Sequence, residues 1–217
     1  MPHQSYSWSE PKAKHSQAIP RDKRVPGYCH VGPFDASWCT KGNGIDATRI
    51  TIRRTTQADV RQLPAVERSA ARSFATIPEL AWIVGDDVLD EDQHRRFAAA
   101  GWSWVADLAG APVGFICAEL VEHEVHVWEV AVGEPYQQQG IGSRLLACVE
   151  AQARDVGASA LTLTTFSDVP WNGPFYASLG YEVIDPEARS SRLRRILELE
   201  VQAGQPAERR CAMRLRL

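Results

Sequence analysis

Residues 137–142, written QQQGIG, combine residue types and a position that could bind an anion. They lie between the apolar run VWEVAV and the helical pattern SRLLACVEAQARDVG. Glycine has no Cβ and lets a ligand approach the backbone, and a helix start offers free N–H groups with partial positive charge. A flexible turn is the simpler reading of an isolated glycine pair, but the place before a helix favours an anion site. The segment is neither a Walker A loop nor a Gly-x-Gly-x-x-Gly dinucleotide loop.

The strand pattern before this segment carries two candidate proton acceptors. A side-chain period of two predicts one face with His126, Trp128, Val130 and Val132, and an opposite face with Val127, Glu129 and Ala131. A β-bulge in the strand would reverse the face and the choice between His126 and Glu129. Glu122, Glu124 and His126 are metal-ligand types at a spacing of two, but the glutamates fall in a predicted tight turn. We therefore expect no metal.

The elements that would position these residues begin at Ile50 and alternate between strand and helix patterns. The predicted strands are ITIRR, WSWVADL, PVGFICAELV, VHVWEVAV, ALTLTTF, YEVI and RRCAMRLRL. Helices are predicted after Asp59 as N-cap, over DEDQHRRFAAAG, after QQQGIG as far as Gly157, over NGPFYASL before Gly180, and from Asp185-Pro186-Glu187 onward. The helix that follows QQQGIG joins two strands, which predicts a parallel βαβ unit. The fold class is α/β, with a mixed sheet.

Composition limits the class of protein. A chain of 217 residues with 44% hydrophobic and 24% charged residues fits one globular domain and an appendage. Residues 1–47 are rich in proline without periodicity and predict a disordered or loosely docked tail, with the domain over 48–217. A net charge of -3 disfavours nucleic acid as the main partner, and no apolar run suits a membrane span. Five scattered cysteines predict reduced thiols and a cytoplasmic protein.

Gln-x-x-Gly-x-Gly after a strand, followed by WNGPFYASLGYE about thirty residues later, resembles the GNAT superfamily of acetyl-CoA-dependent N-acetyltransferases. The resemblance covers about residues 50–217. It implies the acyl-CoA N-acyltransferase fold, with a partly splayed central sheet of about six to seven strands flanked by helices. It implies acetyl-CoA as co-substrate and no metal, and it leaves a homodimer open.

The resemblance also assigns site residues. The backbone from Gln138 to Ser143, within a loop that begins at Gln137, would hold the coenzyme A pyrophosphate. The pantetheine arm would insert between the parallel strands and bond to backbone near Val130 and Val132. The cofactor-binding set is Val130, Ala131, Val132, Gln137, Gln138, Gln139, Gly140, Ile141, Gly142, Ser143, Asn172 and Tyr176.

Proton transfer is assigned by the same resemblance. Tyr176 matches the tyrosine that donates to the departing thiolate. His126 stands where the arylalkylamine branch carries a histidine, and Glu129 is the rival base. Histidine at a pKa of ~6.5 deprotonates an alkylammonium of ~10.4 only at a cost of ~5 kcal/mol. The amine must therefore be acidified by desolvation, or its proton must leave during or after the attack.

The acceptor is expected to be a primary amine on a small molecule, such as an aryl-alkyl amine or a polyamine, attacking in a ternary complex. A non-catalytic acyl-CoA-binding module and a protein acetyltransferase are the alternatives. Five acidic residues would either draw a cationic acceptor or cap a helix: Asp86, Asp87, Asp90, Glu91 and Asp92. The last predicted helix carries an apolar stripe that ends at Val201. Beside this stripe, four arginines predict a solvated face: Arg189, Arg192, Arg194 and Arg195.

Overall fold

All seven predicted strands form one sheet in the computed structural model, which describes residues 49–217. The predicted tail over residues 1–47 lies outside the described residues. The strands are β1 (Ile50–Arg54), β2 (Ser103–Leu108), β3 (Ala111–Val121), β4 (Glu124–Val132), β5 (Ala160–Phe166), β6 (Glu182–Val183) and β7 (Arg210–Arg216). Their order in the sheet is β1-β2-β3-β4-β5-β7-β6. The β4/β5 pair is parallel and the other pairs are antiparallel, so the predicted mixed sheet is confirmed.

Helices cover both faces of the sheet. They are α1 (Leu63–Ala71), α2 (Glu91–Ala99), α3 (Ile141–Asp155), α4 (Gly173–Ser178) and α5 (Ser191–Gln202). The apolar side of α3 packs with Val125, Val127, Val130 and Val132 of β4. The opposite face carries α1, α2 and α5, because Trp128 packs both against the α1/α2 cluster and against the α5 cluster. The parallel strands at the centre of the sheet are therefore buried on both faces.

Two predicted helix starts are wrong, for different reasons. Asp59 does not cap α1. Its carboxylate accepts two hydrogen bonds from Arg53, at 2.7 and 2.8 Å, and others from Thr56. The hydrogen bonds with Arg53 hold the pKa of Asp59 at about 2. Asp185 caps only the short 3-10 turn Pro186–Ala188, and α5 begins later, with Ser190 as its cap.

No helix within residues 49–217 combines the length and the apolar character needed to cross a bilayer. Cys117, Cys148 and Cys211 form no disulfide bonds.

Two glycines that the sequence predicts as helix ends, Gly157 and Gly180, take the left-handed conformation that stops a helix, at φ of 73° and 91°.

Candidate active site

The parallel strands β4 and β5 pair for three residues and then separate. The first pair joins Glu124 to Ala160 and the last joins His126 to Thr162. Beyond that point β4 stays paired with β3 as far as Val132, and β5 stays paired with β7 along its length. Beyond His126 and Thr162, the facing edges of β4 and β5 are therefore no longer paired with each other, while β4 remains paired with β3 and β5 with β7. A ligand with amide groups can lie in this gap and pair with the strand edges as an added strand.

A bulge in β4 changes which side chains face the helices. Glu129 pairs with Cys117 of β3, whereas the next β3 residue, Ala118, pairs with Val127 and skips Trp128. Trp128 is the extra residue, and the alternation restarts after it. The face opposite α3 carries His126, Trp128, Glu129 and Ala131. The uniform alternation predicted from the sequence is wrong beyond Val127, and both candidate bases lie on one face.

Side-chain hydrogen bonds and two left-handed backbone angles fix the conformation of the loop after β4. The Gln137 side chain donates from Nε2 to the Val132 carbonyl at 3.0 Å and accepts from the Ser73 hydroxyl at 2.9 Å. Gln138 has a φ of 62°, which is uncommon for a residue with a side chain. Gly140, at φ 74°, is the N-cap of α3, and a Cβ built on it would meet nothing within 4 Å. Glycine is thus required at this position by its backbone angle, and open space adjoins it.

The start of α3 fits a diphosphate group. Ile141 and Gly142 are buried, and Ile141 packs in the α3-side core. Gln138 and Gly140 are exposed and Ser143 is half-buried, so the loop presents its backbone outward. The first turn of a helix leaves its N–H groups without partners inside the helix, and the macrodipole adds positive potential there. The predicted cofactor residues 137–143 therefore lie together at the wide end of the β4/β5 gap, and all of them except Ile141 and Gly142 are at least partly exposed.

Tyr176 lies on α4 and Asn172 lies at the start of that helix, both beside the end of β5. A Cβ on Gly173 would stand 2.6 Å from the Ser167 carbonyl oxygen, so the helix start packs directly on the backbone that leaves β5. Asn172 and Tyr176 are both fully buried. The Tyr176 ring contacts Phe175 at 5.2 Å and Tyr181 at 5.6 Å between centroids. Aromatic packing therefore fixes the ring within the core cluster on the α3 side of the sheet.

His126 lies at the apex where β4 and β5 separate. It is 1% exposed, and its Nδ1 is 3.0 Å from the Thr162 hydroxyl. Its ring meets Trp128 edge to face at 4.7 Å. Burial, and secondarily the positive charge of Arg192, lowers the pKa of His126 well below 6.5. The imidazole is therefore neutral at pH 7.

Trp128 is the centre of a polar contact network on this face. Its indole N–H donates to the Glu119 carboxylate at 3.0 Å, and the Arg192 guanidinium lies 5.6 Å from its ring centroid. Arg192 is also 3.6 Å from Glu119. The prediction of a solvated arginine face is confirmed for Arg194 and Arg195, which are exposed, and is wrong for Arg192. Arg192 brings positive charge to the face that carries the candidate bases.

The acidic run mostly serves the start of α2. Asp90 accepts from the Gln93 N–H at 2.8 Å, and the Gln93 side chain accepts from the Asp90 N–H, which completes a capping box. Glu91 and Asp92 both pair with Arg95 one turn later. The helix-capping alternative therefore holds for these three acidic residues. Within residues 49–217, no group of three His, Cys, Asp or Glu side chains is arranged to hold a metal.

Three residues that shape the site have no motif in the sequence. Ser73 braces Gln137, Thr162 holds His126, and Arg192 lies over Trp128. Thr162 does leave a signal, because a hydroxyl inside an otherwise apolar buried strand needs a partner. Ser73 and Arg192 leave none, since they reach the site from distant segments.

A mixed sheet whose parallel pair diverges beside a glycine loop defines the class of acyl-CoA N-acyltransferase folds. The protein belongs to the acetyltransferase (GNAT) family, whose sequence model matches residues 65–181. The family predicted from the two motifs is thereby confirmed.

Solved structures agree with the fold. The PaiA N-acetyltransferase of Thermoplasma acidophilum, in complex with coenzyme A, has a TM-score of 0.58 at 15% identity, covering 77% of this chain and 99% of that one. The N-acetylglutamate synthase of Neisseria gonorrhoeae, complexed with coenzyme A and N-acetylglutamate, has a TM-score of 0.58 at 17% identity. That comparison covers 77% of this chain and 35% of the synthase.

One curated relative is closer in sequence and much longer. The tRNA(Met) cytidine acetyltransferase of Aeropyrum pernix is 37% identical over 112 residues. This stretch is 48% of the present chain and 15% of that protein. The chain therefore spans only a small part of that relative.

Proposed function

We propose that the protein transfers the acetyl group of acetyl-CoA to the primary amine of a small aryl-alkyl amine, in a ternary complex and without an acetyl-enzyme. The observation that carries the proposal is the gap between β4 and β5, which leads from the candidate bases to the open loop at Gly140. As a GNAT acetyltransferase, the protein uses acetyl-CoA as its acetyl donor.

We place acetyl-CoA in this gap, on the residues that the family resemblance assigns to it. The N–H groups from Gln138 to Ser143 would bind the pyrophosphate, assisted by the dipole of α3. The backbone edge from Val130 to Val132, which includes Ala131 and is not paired with β5, would bind the amide groups of the pantetheine arm, although Gln137 already donates to the Val132 carbonyl. Asn172 would hydrogen-bond the arm near its sulfur. Gln137 acts through the loop, because its side chain is bonded to Val132 and Ser73.

We propose Glu129 as the base that takes the proton of the amine. Acetyl-CoA supplies a thioester carbon, and the new C–N bond forms as the C–S bond breaks. The amine must release a proton on this path. Protonating His126 would create a buried positive charge close enough to the partly exposed Arg192 to be repelled by it, whereas protonating the buried Glu129 carboxylate gives a neutral acid. We therefore propose that Glu129 accepts the proton of the amine. His126 would instead hold Trp128 and the edge of β4 in position.

Tyr176 supplies the other proton. A phenol with a reference pKa of ~10 can donate to a leaving thiolate whose conjugate acid is near ~8.5. The packing of its ring against Phe175 and Tyr181 would hold the hydroxyl in one position, as a general acid requires. The proton taken by Glu129 and the proton given by Tyr176 balance, and solvent restores both groups after product release.

The acceptor class follows from what lines the face with Glu129. Trp128 is half-buried and offers an aromatic wall, and α5 covers the neighbouring part of the sheet. Such enclosure favours a small molecule over a folded protein. Arg192 repels a polycation, and three carboxylates of the acidic run are engaged at α2. An aryl-alkyl monoamine fits these features better than a polyamine.

A screen of acceptors tests the proposal. The protein is mixed with acetyl-CoA and phenethylamine, tryptamine, spermidine or a short peptide with a free N-terminus, and free thiol is measured. We expect the highest kcat/KM with the aryl-alkyl amines. Turnover of the peptide alone would support a protein acetyltransferase. Acetyl-CoA binding by calorimetry with no thiol release from any amine would support the non-catalytic alternative.

A further inference from the structure

A cavity lies beside α5, away from the candidate active site. It has a volume of about 450 Å³ and is bounded by α5 and by the segment that enters β7. Its α5 residues, including Arg194, Leu197 and Val201, recur at intervals of three and four and so share one side of the helix. Arg192, which lies over Trp128, projects from another side. The body of α5 therefore separates this cavity from the candidate bases.

Positive charge exceeds negative charge in the cavity. Arg189, Arg194 and Arg210 line it, and the carboxylates at or beside it are Glu198 and Glu200, which leaves one net positive charge. Within residues 49–217, no carboxylate lies within 4.0 Å of Arg189 or Arg194. Glu198 is drawn instead to Arg195, at 3.5 Å.

Arg210 gives the cavity a buried donor. Its side chain is 1% exposed and makes two contacts to Glu200, from Nε at 2.9 Å and from Nη2 at 2.7 Å. The remaining nitrogen, Nη1, is buried and has no hydrogen-bond partner in the described part of the chain. A buried guanidinium N–H group without an acceptor is costly, and an anion in the cavity would satisfy it.

The rest of the lining is apolar. Leu197 and Ala207 contribute to it, and Val201 is 41% exposed although it continues the apolar stripe of α5. The volume is within the range of small-molecule sites, about 300–1,000 Å³. We propose that this cavity binds a small organic anion, a carboxylate on an apolar chain, with the arginines on the carboxylate and Leu197 and Val201 on the chain.

The cavity is connected to the active site through one polar chain. Glu200, which holds Arg210, also accepts from the Thr164 hydroxyl at 2.5 Å. Thr164 belongs to β5 and lies two residues beyond Thr162, where β5 has left β4. An anion that draws Arg210 toward itself changes the contact of Glu200 with β5. Binding in the cavity therefore alters the affinity of the β4/β5 gap for acetyl-CoA.

Octanoate is a suitable probe of the site. Calorimetry with the full chain should show one saturable site, with affinity at least about tenfold lower in the Arg189→Gln/Arg194→Gln double variant, since the variant loses two charged hydrogen-bond donors. Val201→Asp should weaken binding similarly. The matched control is Arg195→Gln, which removes a guanidinium of α5 outside the cavity and should bind as the wild type does.

Three outcomes would overturn the site: no saturable octanoate binding, equal affinity in the double variant, or complete competitive displacement of octanoate by coenzyme A, in place of the limited change in affinity that coupling between two sites gives. The coupling has its own test. Saturating octanoate should change the dissociation constant of acetyl-CoA at least about fivefold, and Thr164→Val should abolish that change while octanoate still binds. An acetyl-CoA affinity that is indifferent to octanoate in the wild type would refute the coupling.

Discussion

Two groups of buried polar residues lie on the same face of the sheet and differ in how they are satisfied. Glu200 and Arg210 neutralise each other, both side chains being 1% exposed, and Thr164 adds a third contact. We call them the structural pair. His126 and Glu129, near Trp128, lie where β4 leaves β5, and His126 is held neutral by burial and by Arg192. We call these two the active-site group.

The difference separates stability from chemistry. A buried ion pair resists the loss of one partner, because the remaining charge is left uncompensated. A buried group whose protonation is shifted by desolvation, at the edge of a gap, is ready to exchange a proton with a ligand. Variants of the structural pair should therefore lower the free energy of unfolding, and variants of the active-site group should lower turnover.

Glu200→Gln should have the largest effect on stability. Arg210 would keep its charge with no carboxylate beside it, which costs about 3–5 kcal/mol of unfolding free energy. Urea denaturation followed by circular dichroism measures the loss. Glu198→Gln, at an exposed pair with Arg195, is the control and should change the free energy by less than about 0.5 kcal/mol. A Glu200→Leu/Arg210→Met double variant should recover most of the loss, and failure to recover would refute the conclusion that the loss comes from the uncompensated charge of Arg210.

Glu129→Gln should have the largest effect on activity. Removal of a general base lowers kcat by about 100-fold or more, because the amine proton loses its acceptor. The Michaelis constant for acetyl-CoA should change little, and so should the melting temperature. Glu122→Gln, in the exposed turn before β4, serves as the control. If Glu129→Gln retains kcat while His126→Gln loses it, the base is His126.

Tyr176→Phe tests the acid in the same assay. Loss of the phenol hydroxyl should lower turnover about tenfold or more and leave the affinity for coenzyme A nearly unchanged, because the ring still packs on Phe175 and Tyr181. Equal turnover in the variant and the wild type would mean that solvent protonates the thiolate.

The pH dependence of stability isolates His126. Its pKa is lower in the folded state than the unfolded value of about 6.5, so the unfolded state binds more protons as the pH falls through 6.5. The contribution of the neutral ring is full above that pH and is lost below it, by up to about 1.4 kcal/mol per pH unit. His126→Gln should reduce the slope of unfolding free energy between pH 7 and pH 5.

His123→Gln is the matched control, since His123 is exposed in the turn three residues earlier. It should leave that slope as in the wild type. A slope that is the same in all three proteins would show that Arg192 and burial do not hold His126 neutral, and the contrast with the structural pair would fail.

Much of the architecture follows from local patterns in the chain. The strand at Ile50 and the helix that ends at Gly157 are predictable, because alternation and helix-ending glycines depend on near neighbours. The loop at Gly140 is predictable for the same reason, and two motifs identify the family. Asp59 and Asp185 show where such signals mislead, since Arg53 engages Asp59 and a 3-10 turn intervenes after Asp185.

The tertiary structure alone decided the face that the candidate bases share. The bulge at Trp128 arises from the register between β3 and β4, and a period of two contains no information about register. The contact of Arg192 with Trp128 and the cavity beside α5 depend on where a distant helix packs. Sequence determined the elements, the glycine loop and the family because these rest on neighbouring residues. Electrostatics at His126 and Glu129 came only with the fold, since burial and charge there arise from segments far apart in the chain.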